Sequence, residues 1–88
     1  MNHAKNDKEQ DKAPTIMVVD DNTQNLELLQ VYLEDVDCRT IPAHDGLEAL
    51  EIIAKEPPDL ILLDVMMPKM SGFEVCRRIK NDPKTSDI

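Results

Sequence analysis

Aromatic residues and cysteines are scarce in this sequence of 88 residues. Tyr32 and Phe73 are the only aromatic residues, so binding of nucleic acid by base stacking is not expected. The two cysteines, Cys38 and Cys76, make neither a disulfide framework nor the spacing of a metal site. We expect both thiols to be reduced and half-buried, as small apolar side chains are.

Positive charge is scarce as well, because 10 Lys and Arg stand against 18 Asp and Glu, a formal net charge of -8. Nucleic acids and anionic lipids both require clustered cations, so the sequence predicts neither as a direct partner. The longest apolar stretch, residues 60–68, is interrupted by Asp64 and is too short to span a membrane. No basic segment followed by an apolar run opens the chain, and the protein is therefore expected in the cytoplasm.

The charge is distributed unevenly along the chain. Residues 1–13 carry three Lys and three acidic residues with almost nothing apolar, and they are expected to form a disordered tail. The whole net charge therefore lies in residues 14–88, a length that allows a single domain.

Strand and helix signals alternate along residues 14–88. Continuous apolar runs at 15–19 and 60–63 are typical of strands in a parallel sheet, and the run 38–42, which contains Pro42, predicts an edge strand. Helices are predicted to begin at Asn22 or Thr23, at Asp45-Gly46 and at about Phe73. The order β-α-β-α-β-α predicts an α/β fold with helices on both faces of a parallel sheet.

The spacing of apolar side chains predicts the buried face of each helix. We expect Leu26, Leu29 and Leu33 inward on the first helix, Leu47, Leu50, Ile53 and Ala54 on the second, and Phe73, Cys76 and Ile79 on the third.

Acidic residues follow two of the predicted strands directly. Asp20 and Asp21 come after the first strand, and Asp64 comes after the third. If these strands are neighbours, about 5 Å apart, the three carboxylates share one pocket at the carboxyl edge of the sheet. Carboxylates so close together repel unless a cation joins them, and Mg²⁺ favours such oxygen ligands. A carboxylate beside such an ion can attack a phosphoryl group to form an acyl phosphate.

These acids have two other interpretations. Asp20 and Asp21 can simply cap the first helix and favour its dipole. A calcium-binding EF-hand loop counted from Asp20 requires Gly at its sixth position and Glu at its twelfth, and the sequence has Asn25 and Val31 there. The cap interpretation therefore stays open, whereas the EF-hand is excluded.

Three segments in order resemble the receiver domain of bacterial response regulators: MVVDDN at 17–22, DGLEAL at 45–50 and PDLILLDVMMPKMSGFE at 58–74. The resemblance covers residues 14–88. It implies the N-terminal β-α-β-α-β-α portion, with strand order 2-1-3, of a five-stranded flavodoxin-like fold. It also implies a phosphoacceptor module of a two-component phosphorelay, whose partner is a sensor histidine kinase or a histidine phosphotransfer protein.

The resemblance also implies a role for each residue of the acidic pocket. Asp64 would be the phosphoacceptor, Asp21 a direct ligand of Mg²⁺, and Asp20 a ligand through water. Met66 would contribute its backbone carbonyl, and Mn²⁺ is an alternative to Mg²⁺. The expected reaction is a Mg²⁺-dependent self-phosphorylation without turnover of a small molecule, which leaves open whether the chain counts as an enzyme.

The sequence departs from the receiver pattern at Ile88, before the fourth strand of the family. The Ser or Thr and the Lys that the family carries beyond this point have no counterpart here. A second function is therefore open, in which a truncated or degenerate receiver does not signal and acts only as a binding or dimerisation module. The strand at 60–63 would then be an open edge, through which we expect a homodimer or a partly molten fold.

Overall fold

The computed structural model describes residues 13–88, so most of the tail predicted at 1–13 lies outside the described residues. Strands and helices alternate as predicted. They are β1 (Thr15–Val19), α1 (Thr23–Leu33), β2 (Arg39–Ala43), α2 (Gly46–Lys55), β3 (Leu60–Leu63) and α3 (Gly72–Asn81). None of the helices within residues 13–88 combines the length and the hydrophobicity that a membrane-spanning helix requires.

The three strands form one parallel sheet in the predicted order β2-β1-β3. Met17 in the central strand pairs with Ile41 on one side and Ile61 on the other. All five residues of β1 are buried, because it has a strand on each side and helices above and below. The fold is therefore the N-terminal portion of a flavodoxin-like sheet, as predicted.

Alternate residues of β1 enter two separate cores. The larger core lies under α2 and α3, and its buried members are Met17, Val19, Ala43, Ala49, Ile53, Met67, Val75 and Ile79. The smaller core lies under α1 and consists of Ile16, Val18 and Leu26, with Leu29, Leu33 and Cys38 packed at its margin. Successive side chains of a strand point to opposite faces, so β1 contributes to both.

The predicted buried face of α3 was wrong at two positions. Val75 and Ile79 are buried as the inner face, whereas Cys76 is exposed and Phe73 is 75% exposed. Cys76 lines a groove beside β3, and Phe73, three residues earlier, lies on the same side of the helix. That side faces the edge of the sheet at which no described element packs. Only Cys38 is half-buried, as was expected of both cysteines.

The face of α2 is also shifted from the prediction. Gly46, Ala49 and Ile53 are buried, while Leu47 is 58% exposed and Ala54 is exposed. A Cβ added at Gly46 would lie 2.8 Å from Val75 Cγ2 and 3.0 Å from Met70 Sδ. The small residues thus bring α2 close to α3, which turns the bulkier Leu47 to the outside. Leu50 packs against the larger core, partly buried.

The residues after α3 are folded, although the sequence suggested little more than polar coil there. The Thr85 hydroxyl donates to the Ile79 carbonyl at 2.7 Å, and Thr85 is only 8% exposed. Ile88 packs against the larger core. The turn thus gives the Ile79 carbonyl a second donor beside the Asp82 amide, which donates to it at 3.4 Å at the end of α3.

The outer edge of β3 is open among the described residues. Leu60 and Leu62 pair with Ile16 and Val18 of β1 and so lie on the α1 side of the sheet. They are 50% and 37% exposed, because α1 does not extend over them. β3 therefore has one face against the larger core and the other largely in solvent.

Candidate functional site

Two backbone hydrogen bonds extend the sheet beyond its last paired residues and position the acids. Val19 and Leu63 are paired at the carboxyl ends of β1 and β3. The Asp64 amide donates to the Val19 carbonyl at 3.0 Å, and the Asp20 amide donates to the Ala43 carbonyl at 3.1 Å. Asp20 and Asp64 therefore follow adjacent strands at the same edge.

The structure brings Asp20, Asp21 and Asp64 together, as their positions after the strands predicted. One carboxylate oxygen from each lies within 4.8 Å of the others. Asp20 is only 9% exposed, Asp64 is half-buried, and Asp21 is exposed. The pocket thus grades from a nearly buried acid to one at the surface.

Hydrogen bonds distinguish the three carboxylates. Asp20 Oδ1 accepts from the Asn22 amide at 2.9 Å, and its Oδ2 accepts from Asn25 Nδ2 at 3.2 Å. Asp64 Oδ1 accepts from the Met66 amide at 3.0 Å. Within residues 13–88, Asp64 Oδ2 and both carboxylate oxygens of Asp21 have no protein donor. The inner acid is therefore held on both oxygens, and the two outer acids retain accessible ones.

The cap of α1 is provided by Asn22 rather than by the acids. Its Oδ1 accepts from the amides of Gln24 at 2.9 Å and Asn25 at 3.2 Å. The interpretation of Asp20 and Asp21 as helix caps is therefore wrong. The two carboxylates face the pocket instead of serving the helix end.

The segment from Asp64 to α3 is held by its backbone. The Gly72 amide donates to the Val65 carbonyl at 3.2 Å, and a Cβ on Gly72 would lie 2.3 Å from the Asp64 carbonyl oxygen. Only a residue without a side chain fits here. Lys69, at the far point of this loop, has a φ of 68° in the left-handed region. Met66 is 83% exposed, with its amide directed to Asp64.

The donor set fits a small divalent cation. None of the salt bridges among the described residues involves Asp20, Asp21 or Asp64. Carboxylates this close repel one another strongly, and a cation between them relieves that repulsion. Hard oxygen donors with accessible lone pairs are the ligands that Mg²⁺ prefers.

Asn25 is the member of this site that the sequence argument missed. It entered that argument only as a reason to exclude an EF-hand. The signal was the spacing itself, since Asn22 and Asn25 are three apart at the start of a helix that follows two acids. A helix residue one turn from its cap can reach back to the strand end.

A family model described as "Response regulator receiver domain" matches residues 16–88. The chain therefore belongs to the response regulator receiver domain family. This confirms the resemblance given by the three sequence motifs, and it associates the chain with two-component signal transduction.

Curated relatives support the same family. Response regulator PleD of Caulobacter vibrioides is 49% identical over 73 residues, which cover 83% of this chain and 16% of that protein. Polar-differentiation response regulator DivK of Brucella anthropi is 38% identical over 74 residues, which cover 84% of this chain and 60% of that protein. The chain thus spans between a sixth and three fifths of the length of these relatives.

Solved structures share the fold. The N-terminal domain of a response regulator receiver protein from Methanoculleus marisnigri JR1 has a TM-score of 0.82 at 47% identity, covering 85% of this chain and 61% of that one. The receiver domain of a signal transduction histidine kinase from Syntrophus aciditrophicus has a TM-score of 0.80 at 35% identity, covering 84% and 56%. The present sheet and helices correspond to part of these domains.

Proposed function

We propose that this chain is a phosphoacceptor module of a two-component phosphorelay, in which Asp64 accepts a phosphoryl group from a phosphohistidine. The observation that carries the proposal is the meeting of Asp64 with Asp20 and Asp21 within 4.8 Å at the carboxyl edge of the sheet. Membership of the receiver family supports it.

Mg²⁺ is the proposed cofactor, and Mn²⁺ would replace it. Asp21 and Asp64 have accessible oxygens for direct binding, whereas both oxygens of Asp20 already accept hydrogen bonds, which favours contact through water. The backbone carbonyl of Met66 is the fourth proposed contributor. When bound, the ion neutralises negative charge on the carboxylates and on the phosphoryl oxygens.

Asp64 would act as the nucleophile. Oδ1 accepts from the Met66 amide and has a second lone pair for the ion, which leaves Oδ2 to attack phosphorus. The new bond joins Oδ2 to phosphorus, and the bond between phosphorus and the histidine nitrogen breaks, with the electron pair returning to the imidazole. The product is an acyl phosphate on Asp64, so each chain reacts once and turns over no small molecule.

The donor protein would dock beside the pocket on α1. Leu28, Val31 and Tyr32 form an outward stripe on this helix and are 50%, 55% and 68% exposed. Their spacing of three and four residues places them on one side of the helix. A helix of a sensor histidine kinase or a histidine phosphotransfer protein fits such a stripe. We expect the two proteins to bind each other in the cytoplasm.

Intact-mass analysis tests the proposal. The chain is incubated with Mg²⁺ and either acetyl phosphate or a phosphorylated histidine phosphotransfer protein, and we expect one added phosphoryl group. Asp64→Asn should abolish the addition, whereas Asp87→Asn, which removes an exposed acid far along the chain, should preserve it. A phosphoryl group that persists on the Asp64→Asn variant would assign the chemistry to another residue.

One observation favours the second candidate function, a binding or dimerisation module. The edge of β3 that is open among residues 13–88 carries Leu60 and Leu62, and its backbone groups can pair with a strand of another copy. Sedimentation and thermal melts over a concentration series test it. A melting temperature that rises with protein concentration supports the dimer, and a concentration-independent monomer contradicts it.

A further inference from the structure

We infer that Asn25 is a positioning residue of the acidic pocket, which holds the Asp20 carboxylate in the orientation used for binding a divalent cation. The cation role rests on the proposed function above. The contact itself is a property of the chain and can be tested without metal.

The contact is a hydrogen bond from Asn25 Nδ2 to Asp20 Oδ2 at 3.2 Å. The other oxygen of Asp20 accepts from the Asn22 amide at 2.9 Å. A carboxylate that accepts on both oxygens from separate donors cannot rotate without losing a hydrogen bond. Asp20 is also only 9% exposed, so water has little access to replace the lost donor.

Asn25 is itself held in place by the start of α1. Its backbone amide donates to the Asn22 side chain at 3.2 Å, and the next amide, that of Leu26, donates to the Asn22 carbonyl at 3.2 Å. Leu26 is 2% exposed in the smaller core. The Asn25 side chain therefore projects from a capped and anchored helical turn, and it transmits that fixed position to Asp20.

A neutral amide suits this role. It donates to the carboxylate without adding positive charge, so the pocket keeps the charge of three acids for a cation. A Lys or Arg at the same position would neutralise part of that charge. Partners of this kind, which contact a ligand rather than the metal, commonly change metal affinity by about 10–100-fold when they are removed.

The first test measures Mg²⁺ and Mn²⁺ binding to the full chain by titration calorimetry. Asn25 is exposed, so Asn25→Ala removes no buried packing. We expect about three- to tenfold weaker binding, at the low end of the range for such partners, because the Asn22 amide still holds the other oxygen of Asp20. Gln24→Ala is the matched control, since Gln24 is an exposed neighbour whose side chain makes no hydrogen bond within residues 13–88, and it should bind as the parent does.

A double-mutant cycle separates positioning from a general structural effect. In an Asp20→Ala background both acceptor oxygens are gone, so Asn25→Ala should cause little further loss of affinity. An equal loss in both backgrounds, or no loss in the parent background, overturns the inference. The proposed function survives either result, because it requires only that the parent chain binds the ion and accepts the phosphoryl group.

A measurement without metal tests the contact directly. The side-chain amide protons of Asn25 should shift in the nuclear magnetic resonance spectrum of Asp20→Asn and stay unchanged in Asp87→Asn. Unchanged Asn25 resonances in Asp20→Asn overturn the inference. A parent chain that binds neither Mg²⁺ nor Mn²⁺ contradicts the proposed function. It also contradicts the cation role of Asn25, even where the shift of the Asn25 amide protons verifies the contact with Asp20.

Discussion

The two faces of the sheet are covered to very different extents. On one face, α2 and α3 close over a core of eight buried residues. On the other, α1 is the one covering element within residues 13–88, and it buries three residues and leaves Leu60 and Leu62 partly in solvent. The comparison indicates that the closed face stabilises the fold, whereas the open face presents the strand end with the acids and a surface for partners.

The closed face includes a close backbone approach at Gly72, and substitution there should have the largest effect. In Gly72→Ala the added Cβ would lie 2.3 Å from the Asp64 carbonyl oxygen, a backbone atom that cannot rotate away. We expect a loss of about 3 kcal/mol of unfolding free energy, at the upper end of overpacking costs. Denaturant titration followed by circular dichroism measures it.

Gly46→Ala is the control for that substitution. Its added Cβ meets the side-chain ends of Val75 and Met70, which can shift by a few tenths of an ångström. The loss should be nearer 1 kcal/mol. Equal losses for the two variants would show that the backbone contact at Gly72 has no special weight.

Two neighbouring valines in β1 compare the faces directly. Val19, in the larger core, is 1% exposed, and Val18, in the smaller core, is 0% exposed. Val19→Ala should cost about 2–3 kcal/mol and Val18→Ala about 1–2, because α1 can settle into the space left behind while the closed core cannot. The same denaturant titration measures both losses of unfolding free energy. A larger loss for Val18→Ala would contradict the view that the closed face is the stabilising one.

Leu62→Lys examines the open face, and its effect on the monomer should be small. Leu62 is 37% exposed, so the free energy of unfolding at low concentration should change by no more than about 0.5 kcal/mol. Any concentration dependence of the melting temperature should disappear, because a charge on an edge strand opposes pairing with another strand. Leu28→Lys on α1 is the control that should leave self-association as it is.

The smallest effect is expected from the outer surface of α3. Hydrogen bonds from Arg77 and then Arg78 lower the pKa of Glu74 from 4.5 to about 2. A carboxylate with a lowered pKa stabilises the folded state above pH 4.5 and loses that contribution as the pH falls toward 2. The three groups are well solvated, so the contribution is slight.

A side-chain carbon titration of Glu74 by nuclear magnetic resonance measures this pKa. Arg77→Gln should raise it toward 4.5, since the largest cause of the shift is then absent. A midpoint near 4.5 in the parent chain would contradict the ion-pair geometry.

Sequence was sufficient for the topology and for the acids. The apolar runs at 15–19 and 60–63 predict strands from local sequence, with no knowledge of tertiary contacts. Acids immediately after two strands must meet if those strands pair in parallel. Asp20, Asp21 and Asp64 came from this argument. The roles of these residues, by contrast, came from family resemblance and remain proposals.

Sequence was insufficient where the burial or the role of a side chain depends on which elements pack beside it. Phe73 and Cys76 have the spacing of an inner face, yet both are exposed on the side of α3 that borders the open edge of β3. Gly46 and Gly72 shift the inner faces by letting backbones approach, an effect that apolar spacing does not record. Asn25 has no distinctive chemistry until the position of Asp20 is known.

The contact between Gly72 and Asp64 has a mechanical consequence. It joins two stretches of backbone, one at the candidate phosphoacceptor and one at the first turn of α3. Most contacts in a protein absorb small movements by rotation of a side chain, but here there is no side chain to rotate. A displacement of the Asp64 peptide would therefore be transmitted directly to the first turn of α3, with no side-chain rotation to absorb it.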